Sequence, residues 1–318
     1  MRVGSALRGA SWILSPFRAR RVNENDLLVV RGGTRLVLIP DAFSDDGFWV
    51  RPSAEAILGK LNLIPTLFSD PELSLYDDTL SLEDVSFLHA RFSELRPRRV
   101  LDVGSGAGRL AIPLAEMGLA IDCLDIEASL AQPLLDALQA ASNLYEPRVF
   151  IADAALFRAY PRYAAAYAGM NSIRYLASRD AFSSHLVCMR DSIDDGGSYF
   201  INISLGSLDA IHTHKTWSHG PNRFDWLISG VDRLGEVVED QITVTDSVTT
   251  LNRREFEVQY APDAASLLAT IRSAGWTPHC AWTDSYRRIE FEELRLGTYW
   301  FELRNTPADD LSTKGELH

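Results

Sequence analysis

The chain is poor in cysteine, in basic charge and in long apolar runs, and each shortage closes off a class of function. Only three cysteines, Cys123, Cys188 and Cys280, stand in 318 residues. None has Cys-x-x-Cys or other metal-type spacing, so neither a disulfide framework nor a cysteine-based metal module is expected; all three read as small buried apolar residues in a reducing compartment. Lys and Arg number 31 against 43 Asp and Glu, a net charge of −12. Binding a nucleic-acid backbone needs clustered Lys and Arg, so that partner is not expected. No apolar run approaches the roughly 18 residues of a membrane-spanning helix. A protein of the cytoplasm, without membrane contact, is the resulting expectation. The 46% apolar content suffices for one large core, or for a core plus a small accessory domain.

What is present is concentrated between residues 100 and 130. Val100-Leu101-Asp102-Val103 is an apolar run carrying an acid, Gly104, Gly106 and Gly108 follow at alternate positions, a helical pattern starts at Arg109, and Ile121-Asp122-Cys123-Leu124 runs into Asp125. This reads as strand, tight turn, helix and strand. A turn from a strand straight into a helix needs positive φ and no Cβ, so that a ligand can press on the main chain while the helix N-terminus directs free N–H groups at it. A carboxylate at the tip of the second strand can accept both hydroxyls of a ribose. A nucleoside-containing ligand is therefore expected. Asp122 points to the other face of a regular strand and is expected to be solvated or paired elsewhere.

Dinucleotide enzymes space their glycines Gly-x-Gly-x-x-Gly, whereas here the spacing is Gly-x-Gly-x-Gly with Asp102 two residues ahead. That disfavours a nicotinamide-dependent oxidoreductase. The segment resembles motif I of the class I S-adenosylmethionine-dependent methyltransferases of the small-molecule type, with Asp125 matching the family's ribose-binding acid. Further landmarks follow in register: 149–154 resembles the third strand with its adenine-contacting Asp153-Ala154, 163–174 the fourth strand and its functional loop, and 186–205 a helix, the Gly196-Gly197 turn and the fifth strand. The resemblance covers 95–206, with a weaker tail over 256–304.

The resemblance implies an α/β fold, a doubly wound, mostly parallel seven-stranded sheet, with S-adenosyl-L-methionine as cofactor. It implies cofactor contacts from Asp102, Gly104, Ser105, Gly106, Asp125, Ile126, Asp153 and Ala154, and from the carbonyl of Gly169 or Met170. Tyr76, in a Tyr-Asp pair, is similar to a residue that closes over the cofactor; a half-buried cap residue is the alternative. Asn171 and Tyr175 are candidates for orienting an acceptor, or else loop residues. His214, in a segment that also holds His212 and His219, is a candidate base or substrate contact, or else an exposed loop residue.

No metal is expected. The histidines lack ligand spacing, and the magnesium-dependent catechol-type enzymes carry acids after the fourth and fifth strands where this chain has Gly169-Met170-Asn171 and Ser204-Leu205-Gly206. Methyl transfer to nitrogen or oxygen of a small, secondary-metabolite-like acceptor is the implied activity. An S-adenosylmethionine-consuming cyclase that releases methylthioadenosine, and a noncatalytic partner subunit, are the alternatives.

Outside this region, 1–52 reads as an arm with a β-hairpin, 26–30 and 35–39 around Gly32-Gly33, an accessory element through which a homodimer could form. Its first 21 residues hold five arginines and no acid, either a transit signal or a plain arm. Residues 53–96 read as a helical cap with helices at 54–61 and 80–95, Ser81 and Asp84 having capping-box spacing. The methyltransferase-like domain is expected over 97–304. Within it, 206–255 breaks the alternation of strand and helix with β-like runs at 236–248 and 254–260, and following the fifth strand it is the natural acceptor-selecting insert. Residues 305–318 read as a flexible tail.

Overall fold

The computed structural model describes residues 78–141, 145–176, 179–205 and 263–306, together with strands at 18–21, 27–31, 34–38, 42–43, 49–50, 214–219, 222–231, 237–245 and 250–258. The chain forms two compact units, Met1–Arg158 and Ala159–His318.

In the first unit, strands β1 (Arg18–Arg21), β2 (Leu27–Arg31) and β3 (Thr34–Leu38) precede the short pair β4 (Ala42–Phe43) and β5 (Trp49–Val50). Helix α1 (Asp78–Leu95) leads to β6 (Val100–Val103), α2 (Ala111–Glu116), β7 (Ile121–Asp125), α3 (Ala128–Ala141) and β8 (Val149–Ile151). The sheet runs β1-β2-β3-β8-β7-β6. Pairing is antiparallel from β1 to β3 and parallel from β3 to β6. The apolar residues of β6, β7 and β8 are at most 4 % exposed. Strands covered on both faces read as largely apolar runs, interrupted here by Asp102 and Asp122, and so they stand out in the sequence. On α3, Leu130, Leu134 and Leu138 with Ala131 and Leu135 form the i, i+4 stripe that faces the core.

Two expectations change here. The 27–38 hairpin is no separate element: Leu36 and Val37 pair with Val149 and Phe150, so β1 to β3 extend the sheet at one edge and raise the strands of this unit's sheet to six. Ser81 and Asp84 do not cap a helix, because α1 begins at Asp78 and both lie within it.

The acid read as solvated or paired is paired. Asp122 is fully buried, and its carboxylate accepts from Arg99 Nη1 at 2.5 Å, from Arg148 Nε at 2.8 Å and Nη2 at 2.6 Å, and from the Arg148 backbone N–H at 2.9 Å. Arg99 precedes β6 and Arg148 precedes β8, so one carboxylate gathers the entries of three adjacent parallel strands.

In the second unit, β9 (Tyr163–Ala168), α4 (Arg179–Ser192) and β10 (Ile193–Leu205) form a crossover with parallel pairing. Strands β11 (His214–His219), β12 (Asn222–Val231), β13 (Val237–Thr245) and β14 (Thr250–Val258) make a separate antiparallel meander. Helix α5 (Ala264–Ser273), β15 (Thr277–Thr283), β16 (Arg288–Ile289) and β17 (Gly297–Arg304) follow, in the sheet order β9-β10-β17-β15-β16. Asp263 caps α5 by accepting from Ser266 N at 2.7 Å, and Gly275 ends it at φ +84°. Buried His185 on α4 bonds Tyr199 OH at 2.8 Å, and Trp276 Nε1 donates to Leu186 O at 2.8 Å.

Strand β10 begins at Ile193, ahead of the Gly196-Gly197 turn expected to precede it. At Gly197 a Cβ would lie 2.6 Å from the Ala164 carbonyl, and a register shift separates Ile193 from Ser198. Asn305, expected to open a flexible tail, is 4 % exposed and donates through Nδ2 to the carbonyls of Ile193 and Arg190. Strands β13 and β14 overlap the expected β-like runs, whereas β11 occupies the histidine-rich segment read as loop. The expected helix 54–61, Tyr76 and His212 lie outside the described residues.

Asp122→Ala is expected to lower unfolding free energy by about 3 kcal/mol, because removing one partner of a buried ion pair strands the others. Both arginines are partly exposed and can turn to water, so Asp122→Asn should lose less. Urea denaturation at neutral pH measures both; a loss under about 1 kcal/mol for the alanine variant would remove the carboxylate's role in gathering the strands.

Candidate functional site

In the first unit the loop leaving β6 stays attached to β7. Gly104 N and Ser105 N both donate to the Leu124 carbonyl, at 2.8 and 3.2 Å, and Gly108 N donates to Ser105 O at 2.8 Å. Gly104, Gly106 and Gly108 have φ of +71°, +53° and +90°, left-handed values that L side chains resist. Two of the glycines differ in what surrounds them. A Cβ on Gly106 would meet nothing within 4 Å, whereas a Cβ on Gly108 would lie 2.3 Å from Leu134 Cδ1 and 3.0 Å from Ile112 Cδ1. Gly106 therefore borders open space against the main chain, and Gly108 allows α2 and α3 to approach.

Asp125 ends β7. Its Oδ2 accepts from Gly106 N at 2.7 Å and its Oδ1 from Glu127 N at 2.8 Å. The Ile126 amide also bonds this carboxylate; a carboxylate has about four acceptor positions, so capacity for a further donor remains. Burial raises the Asp125 pKa from its ordinary 3.8, opposed by the bonds from the Glu127 and Gly106 amides. With the pKa raised, ionisation of Asp125 subtracts stability as pH rises through its folded-state value.

Ile126 is 37 % exposed beside that acid, an apolar face at the strand tip. The tip of β8 is tied in by Ala152 N donating to Asp125 O at 3.0 Å. Asp153 Oδ1 accepts from Ala155 N at 2.9 Å, and its carbonyl accepts from Leu156 N and Phe157 N, each at 3.0 Å. Asp153 therefore shapes its own turn, with Ala154 inside it. Asp102 is buried in β6, in register with Cys123, whose thiol pKa is pushed well up by burial and then by the Asp102 charge.

In the second unit, Met170 and Asn171 follow β9 with φ of +55° and +58°. Two consecutive left-handed residues that are not glycine need holding in place. Asn171 Oδ1 accepts from Ser204 N at 2.7 Å, and Asn171 N donates to Asn202 Oδ1 at 3.3 Å, so the loop is stitched to the carboxyl end of β10. The Gly169 carbonyl is doubly engaged, by Ser172 N at 3.0 Å and Ser172 Oγ at 2.6 Å. Next comes a 3-10 turn, Ser172–Tyr175, with Arg174 buried and Tyr175 39 % exposed. Strand β14 runs against this turn.

The residues expected at the cofactor loop, Gly104, Ser105, Gly106, Asp125 and Asp153, stand together around the tips of β6, β7 and β8. Met170, Asn171 and Tyr175 share the turn after β9. His214 and His219 open and close β11, where they pair with Leu227 and Asn222; five strand rises separate them, about 17 Å. They are strand residues, not the loop residues that were one alternative for them. Asn202, which holds the Asn171 amide, was missed by sequence reasoning. Its signal was an amide between Ile201 and Ile203, two fully apolar neighbours.

No family model and no curated protein matches the chain in sequence. Solved structures do match in shape. An S-adenosylmethionine-dependent methyltransferase from Clostridium acetobutylicum ATCC 824 superposes with a TM-score of 0.61 at 12% identity, over 74% of this chain and 97% of that one. The CcbJ methyltransferase from Streptomyces caelestis also gives 0.61, at 18% identity over 77% and 100%. The fold is that of the class I S-adenosylmethionine-dependent methyltransferases. SAM-bound CalS10, an amino pentose methyltransferase from Micromonospora echinaspora, superposes less closely, with a TM-score of 0.52 at 14% identity over 80% and 98%. At such identities the likeness speaks for the class I fold alone.

The different surroundings of two glycines give a direct test. Gly106→Ala should cost about 1 kcal/mol, the strain of a left-handed L-residue. Gly108→Ala adds overpacking against Leu134 and should cost about 3 kcal/mol. Thermal unfolding of the two variants compares them; equal losses would contradict the assigned roles.

Proposed function

We propose that the chain transfers a methyl group from S-adenosyl-L-methionine to nitrogen or oxygen of a small-molecule acceptor. The observation that carries this reading is the Asp125–Gly106 arrangement. A positive-φ glycine borders open space where a Cβ would project, and the adjoining carboxylate keeps acceptor capacity beyond the amides it holds. That donor and acceptor set fits the cofactor: main chain for the methionine moiety, carboxylate for the two ribose hydroxyls, and Ile126 with the Asp153-Ala154 turn for the adenine. Asp102 backs the loop from within β6. Because the Gly169 carbonyl is already doubly engaged, the Met170 carbonyl is the better candidate for the cofactor's amino group, and Tyr76 keeps its assignment as a covering residue.

When bound, S-adenosylmethionine supplies an electrophilic methyl on a sulfonium. The protein's task is to align an acceptor with that methyl and to exclude water. An amine acceptor attacks through its own lone pair, whereas a hydroxyl needs a base, for which His214 is the candidate. Asn171 and Tyr175 are assigned to orienting the acceptor. The β11 to β14 sheet is assigned to selecting it, which the passage of β14 along the Ser172–Tyr175 turn supports. Sugar N-methyltransferase KedS8 from Streptoalloteichus sp ATCC 53650, with a TM-score of 0.52 at 18% identity over 73% of this chain and 89% of that one, supports a small-molecule acceptor.

Calorimetry with S-adenosylmethionine tests the cofactor site. Asp125→Ala should weaken binding more than about tenfold, since charge-assisted bonds contribute roughly 1.5–3 kcal/mol each, and Gly106→Val should abolish it. Affinity should also fall as pH is lowered through the Asp125 pKa, beginning above the range of an ordinary aspartate, because the protonated acid accepts hydroxyl donors poorly. Unchanged affinity in a folded Asp125→Ala variant overturns the reading. Mass spectrometry of the spent cofactor tests the reaction: S-adenosylhomocysteine supports methyl transfer, and methylthioadenosine identifies a cyclase instead.

The acceptor side has its own test. His212→Ala, His214→Ala or His219→Ala should alter turnover or acceptor KM at one position, with cofactor affinity shifting by less than about 1 kcal/mol. Unaltered acceptor kinetics in all three would move acceptor selection away from the insert.

A further inference from the structure

Strand β15 pairs with β17 through a register shift between Pro278 and Cys280, which makes His279 an extra residue on its strand. Such a bulge sets two residues against one on the partner and re-aims a side chain. Cys280 is directly paired with Glu302, and the added residue brings His279 beside them. A ring nitrogen of His279, Sγ of Cys280 and a carboxylate oxygen of Glu302 all lie within 4.8 Å of one another. Cys280 and Glu302 are 7 % and 5 % exposed while His279 reaches solvent, which leaves an entry path from the surface.

The carboxylate is already oriented. Glu302 Oε1 accepts from Ser198 Oγ at 2.8 Å and from Arg304 Nε at 3.0 Å, and Oε2 accepts no hydrogen bond among the described residues. Holding one oxygen of a carboxylate through neighbours while the other remains available is the outer-shell arrangement common to metal-ligating acids. The nearby positive charges are Arg304, which is paired with Glu302, and Arg288; both act on His279. A divalent cation would be opposed by these two and balanced by the Glu302 carboxylate and a Cys280 thiolate, the thiol proton leaving to solvent as the metal binds.

We propose that His279, Cys280 and Glu302 form a binding site for a thiophilic divalent cation, with Zn2+ best suited to the sulfur, nitrogen and oxygen set and water filling a fourth position. The site lies away from the acceptor-side turn. Glu302 is five residues along β17 from Gly297, which pairs with Leu205 at the carboxyl end of β10, about 17 Å. The bound cation would brace β15, β17 and, through Ser198, β10, without taking part in methyl transfer. None of this was visible as a motif: two ligands are adjacent, the third is distant in sequence, and Cys280 read as a core residue.

Chelator-stripped full-length protein titrated with Co2+ tests the proposal. One equivalent should produce the near-ultraviolet thiolate-to-cobalt absorption, and Zn2+ should displace it. Cys280→Ser should abolish the band, and His279→Ala, at an exposed position, should weaken Co2+ binding at least tenfold. Zn2+ should raise the thermal midpoint of the wild type and leave that of either variant unmoved. No band at one equivalent, or a band unaltered by His279→Ala, overturns the site, and the second criterion stands even if Cys280→Ser does not fold. Methyl transfer and S-adenosylmethionine binding should survive chelation; their loss would overturn the bracing role. The metal readouts do not depend on the cofactor reading, so either can fail alone.

Discussion

A single buried carboxylate sets the geometry on which the first unit depends. Asp122 accepts bonds from residues at the entries of β6 and β8 while sitting in β7 itself. Because strands are stiff and their rise per residue is nearly constant, aligning three entries also aligns three exits. The registers Val103 with Leu124 and Asp125 with Ile151 follow, and they bring the glycine loop, the Asp125 carboxylate and the Asp153 turn to the same level. A slip of one residue would turn Asp125 to the other face and dismantle that convergence. Charge at one end of the strands thereby controls geometry at the other.

At the exits, main chain and side chain divide the work. Asp125 holds the Gly106 and Glu127 amides while keeping acceptor positions in reserve. Gly106 has open space beside it and Gly108 has a packed helix, so identical residues two positions apart answer to different constraints. In the second unit the same problem, a left-handed loop after a strand, is solved without glycine. Asn171 and Asn202 exchange hydrogen bonds with β10 and its loop partner to hold Met170 and Asn171 in place.

How far the sequence could be read follows from these physical differences. The parallel strands were legible because burial on both faces leaves largely apolar runs, and the glycine loop because positive φ favours glycine. The 27–38 hairpin was legible as strands, but its pairing with β8 was not, because that partner is distant in sequence. The residues expected to hold a cofactor lie at strand tips, whereas the contacts that position those tips and loops, Asn202 on Asn171 and the Asp122 pair of arginines, depend on neighbours distant in sequence. The early start of β10 and the bulge at His279 were not legible, because a register irregularity changes which residues meet without changing the apolar pattern. Ser81 and Asp84 show the reverse hazard: capping-box spacing occurs inside a helix that begins earlier.

The β11 to β14 meander has a consequence for how such a chain can change over time. Each of its strands pairs with the next in sequence, so its contacts are local and its ordering should be fast. A segment whose backbone pairs within itself can be exchanged or remodelled as a cassette, with little demand on the register of the β9-to-β17 sheet. A new surface could then be acquired by grafting, while the register of that sheet is inherited intact.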